Sequence, residues 1–379
     1  MPGDRFNFGR FSALIRKEFI QMRRDRLTFA MMLGIPIMQL VLFGYAINSD
    51  PKHLSTAVFA QDHSIFTRSF FSALENTDYF RVVSLPETAA EADRLLKRGT
   101  VQFVIQIPPN FSRDIVRGAD PEILVDADAT DPAATGNAVA AVRLLAAHAI
   151  DRDLRGPLAA HLQSAAPFSL TVHQRYNPEG RTQYNIVPGI IGVILTMTMV
   201  MFTALAMTRE IERGTMENLL TMPARPLEVM MGKIFPYIFV GYIQTALILV
   251  AARWLFDVPM VGNLVLLSAV LLLFVAANLA VGFTFSTLAK NQLQAVQMAV
   301  FFFLPSILLS GFMFPFRGMP NWAQWIGEIL PLTHFLRIIR GILLKGNSFA
   351  DIQVDTGAIA LFFIGATVVA LNRYRQTLD

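Results

Sequence analysis

Six apolar stretches, each about as long as a bilayer is thick, restrict this chain more than anything else in it. They lie at 27–47, 186–208, 234–255, 264–288, 295–314 and 352–371. A hydrocarbon core about 30 Å deep is crossed by about 20 residues of helix. Lipid offers no partner to backbone N–H and C=O groups, so a single segment that crosses it satisfies them internally, as a helix. Composition agrees with six such helices: 54% of the 379 residues are hydrophobic and only 16% are charged, outside the range of soluble globular chains. The expected fold is an α-helical polytopic membrane protein with six transmembrane helices.

Orientation is read from where lysine and arginine collect beside the spans. Arg5, Arg10, Arg16, Lys17, Arg23, Arg24 and Arg26 precede the first span. Arg209, Arg213, Arg225 and Lys233 follow the second, Lys290 the fourth, and Arg373 and Arg375 the sixth. With six spans all of these share one side, so both termini are expected in the cytoplasm and the long 48–185 insertion on the opposite side. Residues 51–185 carry 13 basic and 15 acidic side chains and show no cytoplasmic bias. The N-terminal apolar run is too long, and its approach too amphipathic, for a cleaved leader. Within 1–26, Phe11, Leu14, Ile15, Glu18, Phe19 and Met22 recur at helical spacing against Arg16, Lys17, Gln21, Arg23 and Arg24. Such a basic amphipathic helix lies in the headgroup layer, where it also has access to a cytoplasmic partner.

The insertion changes pattern. Strands at 56–60, 80–84, 101–107 and 122–126 alternate with helices at 65–74, 87–98 and 109–117, and the Ala- and Leu-rich run 132–165 makes one or two more helices. Alternation of this kind builds an α/β domain with its own core. Its acidic residues Asp120, Glu122, Asp126, Asp128 and Asp131 lack the glycine and glutamate positions of a calcium loop and read as a solvated strand-to-helix turn. Ser64, Ser69 and Ser112 sit in no nucleophile-elbow motif, and the six histidines show no ligand spacing. With no cysteine there is neither a disulfide nor a thiolate metal site. A net charge of +4 leaves no nucleic-acid footprint. No metal and no catalytic group are expected. Tyr176 and Tyr184 suit the membrane interface, and Pro188 with Gly189 at the mouth of the second span marks a hinge, a tight bend or a plain loop.

Three further features bear on function. The charged segment 208–233 joins two spans at one membrane face, with a helix from Glu210 to Leu220 and a turn marked by Pro223 and Pro226; it is either a docking handle or a solvated connector. The segment 316–345 is too polar to span. Its Trp322, Trp325, Phe335, Ile338, Ile339 and Leu343 are expected at the outer interface, with Arg317, Arg337, Arg340 and Lys345 reaching to headgroups. Inside the spans, Gln39, Thr196, Thr198, Thr203, Gln244, Thr245, Asn278, Thr284, Gln294 and Gln297 either line a route or hydrogen-bond helix to helix. So mildly polar a set, among many Met and Phe side chains, suits a hydrophobic or amphiphilic cargo rather than an ion.

Four segments together, RKEFIQMRRDR, PIMQLVLFGYAI, REIERGTMENLLTMPARPLEVMMGK and LPLTHFLRIIRGILLKG, make the chain resemble ABC-2 type permeases, and among them the bacterial multidrug-export subgroup with an α/β domain between spans one and two. The resemblance implies a half-transporter in the inner membrane. It would pair with an identical chain or a sister permease and be driven by a separate ATPase that holds the ATP and Mg, with membrane lipids and a periplasmic adaptor as further partners. The sequence agrees with that division, since no GxxxxGK[ST] loop occurs: Gly232 and Lys233 are followed by Ile234, and position 227 is Leu. The chain itself is then not an enzyme and binds no cofactor. The resemblance further assigns the loop 209–233 as coupling segment, with Glu210, Glu212, Arg213, Gly214, Met216, Glu217 and Leu220 facing the ATPase. It makes 316–345 an outer re-entrant segment of short helices, and a cavity between spans one, two and five the pathway. Two other classes compete. One is a membrane-anchored receptor whose α/β domain binds a ligand, for which six spans are excessive. The other is an intramembrane enzyme, for which no charged pair lies at mid-span.

Overall fold

The computed structural model describes residues 52–146, 149–150, 153, 168–212 and 226–373. The expected first span, 27–47, and the amphipathic helix ahead of it lie outside the described residues. What is described falls into an α/β region and a bundle of long helices.

The α/β region runs β1 (Leu54–Ala60), α1 (Ile65–Glu75), β2 (Phe80–Ser84), α2 (Ala89–Arg98), β3 (Phe103–Ile107), α3 (Phe111–Arg117), β4 (Glu122–Asp128), α4 (Pro132–Ala146) and β5 (Ser169–Arg175). The five strands form one sheet in the order β2-β1-β3-β4-β5, parallel except for the antiparallel β3–β4 pair. Side chains alternate across a pleated strand, and β3 shows it. Phe103, Ile105 and Ile107 join Phe66, Phe70 and Phe111 in one core, while Val104 points the other way, onto Ala92 and Leu96 of α2. Local capping sets where the helices begin and end. Ser64 and Thr88 accept the N–H of Thr67 and Glu91, and Gly99 and Gly118 close α2 and α3 with φ of 73° and 70°, values that cost a glycine nothing.

Asp62 pins the start of α1 to the start of α3. It accepts from the Ser64 N–H at 2.8 Å, the Thr67 hydroxyl at 2.9 Å, the Ser112 N–H at 3.2 Å and the Ser112 hydroxyl at 3.0 Å. Burial alone would raise its pKa, but these bonds outweigh that and hold the carboxyl far below its ordinary range.

The expected strands and the first three helices are present within two residues, and the run 132–165 is helical over Pro132–Ala146 among the described residues, but β5 was not anticipated. Its sequence, SLTVHQR, carries two apolar residues in seven and leaves every position at least partly exposed, so the alternation that marks a half-buried strand is faint. The acidic cluster is also corrected. Asp120 and Glu122 are exposed, but Asp126 and Asp128 are buried at 1% and 8% exposure. Asp126 accepts from Arg175 at 2.9 Å and from Gln106 at 2.8 Å; burial of these carboxylates is tolerated because cations and amides meet them.

The bundle contains α5 (Thr182–Glu212), α6 (Pro226–Phe256), α7 (Leu264–Leu288), α8 (Gln292–Leu309), α9 (Asn321–Ile329), α10 (Pro331–Lys345) and α11 (Phe349–Arg373). Among the described residues, five stretches are long and apolar enough to cross a membrane: Thr182–Ala206, Pro236–Phe256, Leu264–Leu288, Gln292–Leu309 and Phe349–Arg373. At the centre, α7 buries Phe274, Val275, Asn278 and Phe283 completely. Close helix approach there depends on small residues: a Cβ on Gly282 would stand 2.5 Å from the Val200 carbonyl of α5. Phe274 stacks on Phe335 of α10 with ring centroids 4.0 Å apart. The helix of α5 runs through Pro188 without a break, so neither a loop nor a tight bend forms at Pro188 and Gly189. The same helix continues through Glu210 to Glu212, so these two residues belong to the span's own helix, and 213–225 lie outside the described residues.

Candidate functional site at the two ends of the bundle

Contacts between chain-distant residues divide the bundle into two ends. At one end α5 closes and α6 opens, and the Glu212 carboxylate accepts the backbone N–H of Gln292 at 2.7 Å and bonds its side-chain amide. The α7–α8 connection therefore lies at this end too. A carboxylate at the first residue of α8 meets unpaired N–H groups and the positive end of the helix dipole, and these bonds hold the Glu212 pKa below its ordinary value. Both long helices overrun their apolar stretches here. The helix of α5 extends four residues past the apolar stretch 186–208, and α6 begins eight residues before the stretch 234–255, which at 1.5 Å per residue is about 6 and 12 Å of helix. Of the expected coupling residues, Glu210 and Glu212 stand on the α5 arm, while Arg213, Gly214, Met216, Glu217 and Leu220 lie outside the described residues.

The α/β region packs on the opposite end. Lys345 of α10 bonds Asp128 of β4 and lies 5.3 Å above the Tyr176 ring. Arg98 of α2 meets Asp351 of α11 at 3.3 Å, Arg317 donates to the Ser55 hydroxyl at 2.9 Å, and Asn185 donates to Asp131 at 3.2 Å. The short helices α9 and α10 are wedged between the two regions. Sequence reasoning placed the residues of this segment at a headgroup interface, and the structure corrects most of that. Phe335, Ile338, Ile339 and Leu343 are fully buried in the bundle core, because α10 turns its 3.6-period apolar stripe inward. Trp322 and Trp325 of α9 are exposed at 38% and 75%. Arg317, Arg337, Arg340 and Lys345 all bond protein atoms rather than pointing away.

His334, set aside for want of ligand spacing, is a junction at this end. Its Nε2 faces the Glu328 carbonyl at 2.8 Å and its Nδ1 the Asp355 carboxylate at 2.7 Å. Two acceptors for two ring nitrogens favour the imidazolium. Burial works against that charge, but the bonds to Asp355 and Glu328 prevail and the pKa is raised. Arg337 joins by bonding Glu328 at 2.5 Å and Asp355 at 3.4 Å. A usable signal existed in the sequence: Asp351 and Asp355, one helical turn apart at the start of an apolar run, are expensive unless paired.

Of the expected route-lining residues that are described, Thr196 and Thr203 lie on α5, Asn278 on α7, and Gln294 and Gln297 on α8. Thr196 and Thr203 are buried and donate to the carbonyls of Gly192 and Met199, one turn back in α5. Asn278 is fully buried and donates to Phe274, leaving its Oδ1 without a partner. Gln294 accepts the Lys290 N–H at 2.9 Å at the start of α8, and the Gln297 Oε1 is buried and unpartnered. Gln39 lies outside the described residues. Among the described residues, no group of three or more His, Cys, Asp or Glu is arranged to hold a metal ion.

A family model described as ABC-2 family transporter protein matches residues 26–372. Over 96% of this chain and 97% of its own length, "Probable multidrug ABC transporter permease YbhS" of Escherichia coli is 29% identical. "Probable multidrug ABC transporter permease YbhR" of the same organism is 26% identical over 90% of this chain and 91% of its own. "Inner membrane transport permease YhhJ", also of Escherichia coli, is 32% identical over 77% of each chain.

Proposed function

Since this chain belongs to the ABC-2 family of transporter proteins, we propose that it is the membrane permease subunit of an ATP-driven exporter, with nucleotide bound and hydrolysed on a partner chain. The observation that carries this reading is the pair of helical arms at the end of α5 and the start of α6. A connection between two spans has no need of helix beyond the lipid, whereas a docking platform does. In this reading 27–47 supplies a sixth span, both termini and the arms face the cytoplasm, and the α/β region lies outside in the periplasm of a bacterial inner membrane. The segment 209–233 seats in the ATPase, and the long exposed apolar stripes of α6 and α11 meet lipid and a second permease half.

The packing of α5 supports a mechanical route between the two ends. Its 31 residues form one rod about 46 Å long. At the cytoplasmic end Glu212 ties it to α8. At the outer end Gly192 lies against Leu332 and Phe335 of α10, and Gly189 against Phe312. A shift of the arm on nucleotide binding moves the outer helices with it, because close-packed interfaces pass displacement on rather than absorb it. The cargo is hydrophobic or amphiphilic, in keeping with the mild polarity of the span residues and with the multidrug description of two relatives.

The test is purification of the tagged chain from membranes in mild detergent, with mass spectrometry and an ATPase assay on the eluate. A stoichiometric ATP-binding subunit with activity is the expected result; its reproducible absence across several detergents removes the reading. Glu217→Ala then addresses the coupling segment: ATPase recovery should fall while membrane insertion stays unchanged. Glu212→Ala is the less clean variant, since it also breaks the tie to Gln292.

A further inference from the structure

Between the α/β region and the outer helices lies a cavity of about 170 Å³, enough for roughly five waters or one small polyatomic ion. Six basic and four acidic side chains line it, an excess of two positive charges. The carboxylates each have a partner. Asp128 bonds Lys345, Asp351 meets Arg98, Asp355 meets His334 and Arg337, and Asp131 accepts from Asn185.

Among the described residues, two of the lining guanidinium groups, those of Arg317 and Arg340, form no ion pair. Arg317 donates to the Ser55 hydroxyl at 2.9 Å. Arg340 spends Nε on the Asn185 carbonyl at 3.4 Å and Nη1 on the Gly311 carbonyl at 3.2 Å, and its Nη2 is buried with no hydrogen-bond partner among the described residues. Burial lowers the pKa of both guanidinium groups. A buried cation with an unused donor is costly unless an anion completes it. The Oδ1 of Asn347, on the same cavity wall, is buried without a donor to accept from.

We propose that this cavity binds a phosphate group, with Arg340 and Arg317 donating to its oxygens and Asn347 accepting from the one oxygen that keeps its proton. Guanidinium donors match the geometry of phosphate oxygens, and a singly protonated phosphate supplies both the acceptors and the donor that the cavity leaves open. Sulfate, which carries no proton at neutral pH, satisfies the arginines but not Asn347. The phosphate belongs either to a lipid headgroup entering from the outer leaflet or to a free anion. The site is independent of the permease reading, since it is assayed without ATPase or transport.

The experiment uses the full chain in phosphatidylcholine nanodiscs, titrated calorimetrically with inorganic phosphate and, in parallel, equilibrated with labelled phosphatidic acid. At least one probe should bind saturably, and phosphate should bind more tightly than sulfate. Arg340→Gln and Arg317→Gln should each weaken binding about tenfold or more. Arg340→Lys should fall between, and Arg117→Gln on exposed α3 should match the unaltered chain. If Arg340→Gln is recovered poorly, Arg317→Gln gives the same readout from a second lining residue. Binding of phosphatidic acid alone assigns a headgroup, binding of inorganic phosphate alone assigns a free anion, and either upholds the site. Saturable binding of neither probe, or equal binding by both Arg→Gln variants and the unaltered chain, overturns it.

Discussion

The two regions of this molecule obey opposite burial rules with the same residues. In the α/β region Phe103, Phe111 and Ile123 are sealed between sheet and helices, and exposed positions are mostly polar. In the bundle α6 exposes the large side chains of Phe239, Leu247 and Trp254, at 66%, 66% and 82%, on one face at helical spacing. An apolar residue facing outward is a liability in water and the normal state in lipid, so the contrast identifies the solvent of each region. Polar groups differ in the same way. Ser64, Thr88 and Asp62 cap helix ends in the α/β region, whereas Thr196, Thr203 and Thr245 of the bundle return their hydroxyls to the carbonyl one turn back, the one acceptor that lipid cannot remove.

The largest expected effect tests whether the α/β region has a true core. Phe103→Ala should cost about 3–5 kcal/mol, read as protease sensitivity of the 52–175 region in the full chain; full resistance would mean that the sheet does not depend on that core. The comparison is broken most directly by a matched pair of exposed leucines, Leu247 of α6 and Leu144 of α4, at 66% and 74% exposure. Leu247→Arg should disfavour insertion by roughly 2.5–3.5 kcal/mol, while Leu144→Arg should stay within about 0.5 kcal/mol. Equal tolerance in a membrane-insertion assay would remove the assignment of α6 as lipid-facing.

Smaller effects concern single polar groups. Asp62→Ala should cost about 2 kcal/mol through its lost hydrogen bonds. Because the Asp62 pKa is lowered, its contribution is present above the ordinary value of 3.8 and lost as pH falls toward the folded-state value. Acid titration should therefore close the gap between variant and parent. The smallest effect runs the other way. The His334 pKa is raised, so its contribution is complete below the ordinary 6.5 and lost as pH rises through the folded-state value. The difference in melting temperature between the parent and His334→Gln should shrink from pH 6 to pH 9; a constant difference would show that His334 does not titrate in that range.

Much of this fold was legible because its signals are local. Five of the six apolar runs reappear as long helices, and the helix read at 87–98 is α2 within two residues, closed by Gly99. Signals failed where a residue's environment is set by something far away in the chain. The β5 strand is recognisable only by its pairing with β4. Asp128 read as solvated because nothing near it announces Lys345, 217 residues later. The segment that forms α10 was read as too polar to span, but whether its apolar stripe faced lipid or protein depended on α7 being there to receive it.

By itself, then, the sequence determined the elements and their solvents, since helix and strand periods, caps and the length of an apolar run are properties of neighbouring residues. Tertiary structure alone decided the commitments of the charged groups. Arg337 and Arg340 stand one turn apart on α10 with nothing in their neighbours to distinguish them, yet one is saturated by Glu328 and Asp355 and the other keeps a buried donor unused. The physical reason is that a hydrogen bond acts over about 3 Å, and only the folded chain settles which groups come that close.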